Sequence, residues 1–171
     1  MTLNKKVRII GFVFFAGFFA CQDGIKEEKP IASEKKNAIT DVVLTDMNNQ
    51  PINLEQLKGK TVFINFWATW CKPCIQEMPS IKNAQEKLRK TDIVFLLASN
   101  EPGDEIIEFE KNYNYNFNYA KVTNLEELGV IGLPTTYIFN QRGELVFSET
   151  GYRNWDDTSN IEMILKINSQ K

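Results

Sequence analysis

Histidine is missing from all 171 residues, which removes the commonest proton shuttle near neutral pH and the commonest zinc ligand. Acid–base work is left to carboxylates and thiols. Excess positive charge is missing as well: 20 Lys and Arg stand against 22 Asp and Glu, for a net charge of -2. Without a basic footprint there is nothing to hold a phosphate backbone, so nucleic acid is not an expected partner. Cysteine is scarce, with Cys21, Cys71 and Cys74 the three present. Only the last two lie in sequence that reads as folded. Internal repeats are absent, and the length suits one domain with a tail.

The N-terminus reads as an address. "MTLNKKVRIIGFVFFAGFFAC" opens with Lys5, Lys6 and Arg8, continues with about a dozen apolar or small residues, and ends at Ala20 and Cys21. The run is marginal for a permanent anchor, which needs roughly 20 apolar residues. A cysteine directly after it resembles a bacterial lipobox, although Phe18 stands where leucine is usual. Residues 1–20 are therefore expected to be a lipoprotein-type signal peptide, with Cys21 lipidated as the first mature residue; an uncleaved anchor and, behind it, a buried N-terminal helix of a cytosolic protein are the competing readings. Residues 22–37, "QDGIKEEKPIASEKKN", mix both charge signs with almost no large apolar side chain, the composition of a flexible tether. The folded domain is expected over 38–171.

Within that domain the pattern is α/β. "ITDVVLT" and "PINLEQL" around "DMNNQ" predict an N-terminal β-hairpin. "TVFINFWA" and "DIVFLLAS" are apolar, β-rich runs typical of strands buried on both faces. Between them "CKPCIQEMPSIKNAQEKLRK" predicts a helix with Ile75, Met78, Ile81 and Leu88 on its apolar side, kinked by Pro79. Strand, helix and strand of these lengths imply a right-handed parallel crossover. Downstream follow a helix at "GDEIIEFEKNY", a strand near 117–122, a helical turn at "NLEELGV", and strands "PTTYIFN" and "ELVFSET" around "QRG". A final helix lies in "WDDTSNIEMILKI". The sum is a sheet with helices on both faces. "YNYNFNY" fits a helix end followed by a strand with one wet face, and it lacks the cations that base stacking wants.

Chemistry concentrates in "FWATWCKPCIQEMP". Cysteines at i and i+3 across a helix start can form a disulfide that opens without unfolding the domain. A bridge of that span closes too short a loop to serve mainly as a staple. Zinc would need carboxylates to complete its ligands, and a copper-chaperone site would want histidine or methionine beside the thiols. The redox reading has a positive case: Cys71 follows a buried strand and opens a helix, where unpaired N–H groups and the dipole favour an anion, and Lys72 adds positive charge. Thiols in such settings fall from about 8.5 to roughly 3.5–7.5. Cys71 is then the nucleophile and Cys74, one turn along, the resolving thiol.

"FWATWCKPC" with Pro79, followed about sixty residues later by "GVIGLPTTYIF", resembles the thioredoxin superfamily. "INLEQLKGKTVFINFWATWC" and "GLPTTYIFNQRGEL" narrow the resemblance to membrane-anchored TlpA/ResA-type thiol-disulfide oxidoreductases, over roughly residues 39–167. The resemblance implies a thioredoxin-like fold, a central mixed sheet flanked by helices with the extra hairpin. It implies a cis Pro134 against the cysteine pair, with Leu133 offering backbone groups to an extended substrate. It also implies Asn65 in place of the buried aspartate of thioredoxin, and Glu77 tuning the thiols and moving protons. Trp67 and Trp70 are both expected to pack around the site and shield it, with Trp70 the better candidate for a substrate-facing surface.

The Lys72-Pro73 pair lacks the histidine of strong oxidants such as DsbA, which favours reduction of substrates. The resemblance then implies disulfide-containing protein substrates, apocytochrome c among them. It implies a DsbD/CcdA-type membrane electron donor and no bound cofactor. Two other functions fit the fold: a peroxiredoxin, whose peroxidatic cysteine normally sits in a different, threonine- and proline-rich loop, and a thioredoxin-like binding module with a static disulfide.

Overall fold

The computed structural model describes residues 38–170; the signal-peptide, lipidation and tether expectations for residues 1–37 lie outside them. Seven strands form one sheet in the order β2-β1-β5-β4-β3-β6-β7. They are β1 (Leu44–Thr45), β2 (Pro51–Ile52), β3 (Thr61–Phe66), β4 (Ile93–Ser99), β5 (Tyr119–Val122), β6 (Thr135–Phe139) and β7 (Leu145–Thr150). The helices are α1 (Lys72–Lys87), α2 (Gly103–Tyr113) and α3 (Thr158–Asn168). Strand β3 is central and buried along its whole length, as its unbroken apolar run requires. It pairs parallel with β4 and antiparallel with β6, which makes the sheet mixed.

Alternation along the strands divides the core into two layers. Phe63, Phe95, Leu97 and Ile138 face the layer that receives Met78 and Ile81 of α1, Ile106 and Phe109 of α2, and Ile164 and Ile167 of α3. Val62, Ile64, Phe66, Leu96 and Phe139 face the other. All three α-helices feed the first layer. The second is covered by short helical pieces, through Ile39 and Leu54 of two 3-10 helices and Leu128 and Val130 of the turn at residues 124–130. Helix α1 runs continuously through Pro79. No helix among the described residues is long and apolar enough to cross a membrane.

The N-terminal hairpin is shorter than the sequence predicts. β1 and β2 pair over two residues each, joined by a turn in which Asp46 Oδ1 accepts from the backbone of Asn48 and Gln50. Local side-chain bonds divert the flanking residues into 3-10 helix. The Asp41 carboxylate accepts from Ala38 N at 2.8 Å, and Asn53 Oδ1 accepts from Glu55 N at 2.9 Å to cap Leu54–Leu57. In the Tyr/Asn segment, Asn114 and Asn116 take left-handed φ of 52° and 55°. Those turns stack Phe109, Tyr113, Tyr115 and Phe117 in succession before β5 begins.

The β6–β7 hairpin closes on Gly143, whose φ of 77° is left-handed and whose N donates to Asn140 O at 2.9 Å. A Cβ there would sit 2.7 Å from Cγ2 of buried Ile39. Gly143→Ala should therefore lower the unfolding free energy by about 1–2 kcal/mol, read as a urea-midpoint shift at unchanged m-value.

Candidate active site

The register of β3 sets the site. Trp67 N donates to Ala98 O at 3.1 Å, extending the parallel pairing past Phe66 before the chain turns through residues 68–71 into α1. Cys71 is the N-cap of that helix, and its Sγ accepts from Cys74 N at 3.3 Å. Pro73 lies in the first turn, where a missing N–H costs nothing. Cys71 and Cys74 are joined in a disulfide with Cα atoms 5.3 Å apart. Cys71 retains 5% exposure and Cys74 none, so an approaching group meets the Cys71 sulfur first. Lys72 is exposed beside it.

Antiparallel pairing brings a second segment to the same end. Thr135 opens β6 opposite Phe66, so Gly132, Leu133 and Pro134 lie beside the chain that leads to Cys71. The Leu133–Pro134 peptide is cis. Thr135 Oγ1 donates to Gly132 O at 2.7 Å, and Gly151 N donates to Pro134 O at 2.8 Å, which fixes the segment against the end of β7. Leu133 is half-buried and packs on both core layers. Around this end Trp70, Ile131 and Tyr152 are 71%, 95% and 54% exposed, an apolar rim set on three adjacent loops. Trp67 is fully buried, against Phe109 and Tyr119.

Beneath the disulfide lies a buried carboxylate. Glu77 follows Cys74 by one helical turn and has no exposed surface, contrary to the ordinary expectation of a solvated helix glutamate. Its Oε1 accepts from Asn65 Nδ2 at 2.6 Å, and its Oε2 accepts from Arg153 N at 3.1 Å. Asn65 Nδ2 also donates to Thr136 Oγ1 at 3.0 Å, tying β3, α1 and β6 together. Burial raises the Glu77 pKa and the bonds from Arg153 and Asn65 lower it, for a net rise from 4.5 to about 7.

The Redoxin family model matches residues 34–165. The thiol-disulfide oxidoreductase ResA of Bacillus subtilis (strain 168) is 37% identical over 147 residues, 83% of this chain and 77% of that protein. The chain belongs to the Redoxin family. Among solved structures, a thiol:disulfide interchange protein from Bacteroides sp. superimposes with a TM-score of 0.63 at 19% identity, over 76% of this chain and 88% of that one. The pneumococcal exposed lipoprotein thioredoxin Etrx1 of Streptococcus pneumoniae strain TIGR4 gives 0.58 at 24%, over 72% and 96%. The fold is thioredoxin-like, and this Redoxin-family chain is a thiol-disulfide oxidoreductase with ResA-type relatives.

Two contacts of this Redoxin site escaped the sequence. Arg153 donates its backbone N–H to Glu77, while its guanidinium holds Glu149 and Asn160 and lies over Phe147 and Trp155. Backbone donors leave no mark in a sequence. Glu101, just past β4, accepts from the backbone and side chain of Thr69. A glutamate two residues past the strand parallel to β3 was the available signal.

Because the folded-state pKa of Glu77 lies above its unfolded value, the stability tied to this group is complete below pH 4.5 and is lost as pH rises through about 7. Glu77→Gln removes that loss. In the oxidised protein, the unfolding free energy of the variant relative to wild type should rise by on the order of 2–3 kcal/mol between about pH 4.5 and pH 8. Urea titrations at fixed pH measure it.

Proposed function

We propose that the chain reduces protein disulfides outside the cytoplasm by cycling between a Cys71/Cys74 dithiol and the Cys71–Cys74 disulfide. The observation that carries this reading is the disulfide itself, set at a helix N-terminus with Cys71 outermost. In the reduced state Cys71 is the thiolate, stabilised by the first-turn N–H groups and the helix dipole. It attacks one sulfur of a substrate disulfide; an S–S bond forms to Cys71, the substrate bond breaks, and one substrate thiolate leaves. Cys74 then gives up its proton, with Glu77 as the nearby acceptor, and attacks the Cys71 sulfur. The second substrate thiol departs, two electrons have passed to the substrate, and the internal disulfide remains. A membrane dithiol donor of the DsbD/CcdA type restores the cycle.

The exposed rim of Trp70, Ile131 and Tyr152 supports an extended, apolar polypeptide as substrate, lying along Leu133 and Pro134. Apocytochrome c, which carries paired cysteines in an unfolded chain, is one such substrate. Location outside the cytoplasm is supported by the basic–apolar–Cys21 pattern and by the likeness to an exposed lipoprotein thioredoxin.

Cys74→Ser should accumulate substrates as mixed disulfides on Cys71, identified by mass after non-reducing separation, and Cys71→Ser should capture none. A Cys74→Ser chain that captures no protein would sink the reductase reading. Trp70→Ala should raise KM for a disulfide-containing polypeptide by about three- to tenfold and leave reduction of a small aromatic disulfide nearly unchanged. Equal effects on both would remove the rim from substrate recognition. Cys21→Ser should release the chain from the membrane fraction; a chain still bound at full length would favour an uncleaved anchor.

A further inference from the structure

Glu101 takes no part in the chemistry above, yet its surroundings are unusual for a carboxylate. It is 8% exposed. Its Oε2 accepts from Thr69 N at 2.8 Å and from Ser99 Oγ at 2.9 Å, and its Oε1 accepts from Thr69 Oγ1 at 2.6 Å. Its own N donates to Ser99 Oγ at 3.2 Å. Among the described residues no lysine or arginine pairs with it. Burying an anion without a cation is costly, and charge-assisted hydrogen bonds from three donors are what offset that cost.

The two donors of Thr69 both point into this one carboxylate. Thr69 lies inside a closed turn, since Cys71 N donates to Ala68 O at 3.1 Å, and Ile75 N donates to Cys71 O at 3.1 Å where α1 begins. Parallel pairing of β3 and β4 makes the clasp possible, because both strands end on the same edge of the sheet. We propose that Glu101 is a positioning residue for Cys71, clasping Thr69 so that the turn at residues 68–71 delivers the sulfur to the mouth of α1. The influence of a helix terminus fades within its first turn, so a small displacement of the sulfur forfeits much of the thiolate's stabilisation. This inference rests on the reading of Cys71 as the attacking thiol.

Substitution at both ends of the clasp tests it. Glutamine at 101 keeps an acceptor for Thr69 N and offers Nε2 to the Thr69 hydroxyl, whereas alanine keeps neither. The readout is the rate of iodoacetamide alkylation at Cys71 against pH in the reduced full chain, located by peptide mass. Glu101→Gln should stay within about twofold of wild type at neutral pH, while Glu101→Ala should slow by about fivefold or more and titrate at higher pH. Thr69→Val, which retains the backbone N–H, should fall between them.

Folding is checked by circular dichroism. If Glu101→Ala does not fold, Thr69→Val decides alone. Wild-type rate and midpoint in the folded variants would overturn the proposal, and so would Glu101→Gln as impaired as Glu101→Ala. A wild-type Cys71 that titrates like a free thiol would instead sink the functional reading, so the two failures are distinguishable.

Discussion

The site depends on a single constraint, the double pairing of β3. Its parallel partner β4 and antiparallel partner β6 are both locked in register by ladder bonds along a strand with no exposed surface. Register in a two-faced buried strand is strongly specified, because a one-residue slip would turn every side chain into the wrong layer. The chain leaving β3, the chain leaving β4 and the chain entering β6 therefore converge at one edge without any contact having to bring them there. The turn that carries Thr69 and Cys71, Glu101 past β4 and Pro134 before β6 lie at one end of the sheet because their strands are paired in that register.

Several buried polar groups gather at that end of the sheet and in the layer beneath it, Asn65, Glu77, Ser99, Glu101, Thr135 and Thr136 among them. Asn65 stands near the end of β3 between apolar Ile64 and Phe66 and is fully buried. It is matched by Glu77 on α1 and Thr136 on β6. Both acceptors take their hydrogen from the Asn65 amide, and its Oδ1 is buried without a hydrogen-bond partner among the described residues. The Arg153 side chain, held by Glu149 and Asn160, fixes the segment whose N–H reaches Glu77, so a carboxylate in the core is braced from the far side of the sheet edge.

Much of the fold was legible because the apolar runs are unambiguous. β4 differs from its expected run by one residue, and α2 coincides with "GDEIIEFEKNY". The cysteine pair was legible from the helix start that follows it. Where side chains compete with the backbone the reading weakened: Asp41 and Asn53 turned expected strand into 3-10 helix, and two left-handed asparagines delayed β5 to Tyr119. "Helices on both faces" was right about coverage but did not distinguish three α-helices from the short helical pieces opposite. Trp155, ahead of α3 rather than in it, is buried against Phe63 and Phe147, and its place follows from tertiary packing alone. Glu77 was singled out by the family resemblance alone, since periodicity does not say whether a residue flanking the apolar stripe is covered by a distant loop.

Two opposed electrostatic influences meet at the start of α1. The open N–H groups of the first turn favour negative charge on Cys71, and the Cys74 N–H already points at that sulfur in the disulfide. Glu77, one turn beyond Cys74 and shielded from water, disfavours a second negative charge nearby, because burial outweighs the hydrogen bonds that lower its pKa and leaves it at about 7. On the proposed cycle the two charges alternate: a thiolate on Cys71 goes with a protonated Glu77, which releases its proton to solvent once the mixed disulfide has discharged Cys71, and the carboxylate so formed then takes the proton of Cys74. A histidine-free protein can in this way operate acid–base chemistry near neutrality, with burial supplying the shift that imidazole would otherwise make unnecessary.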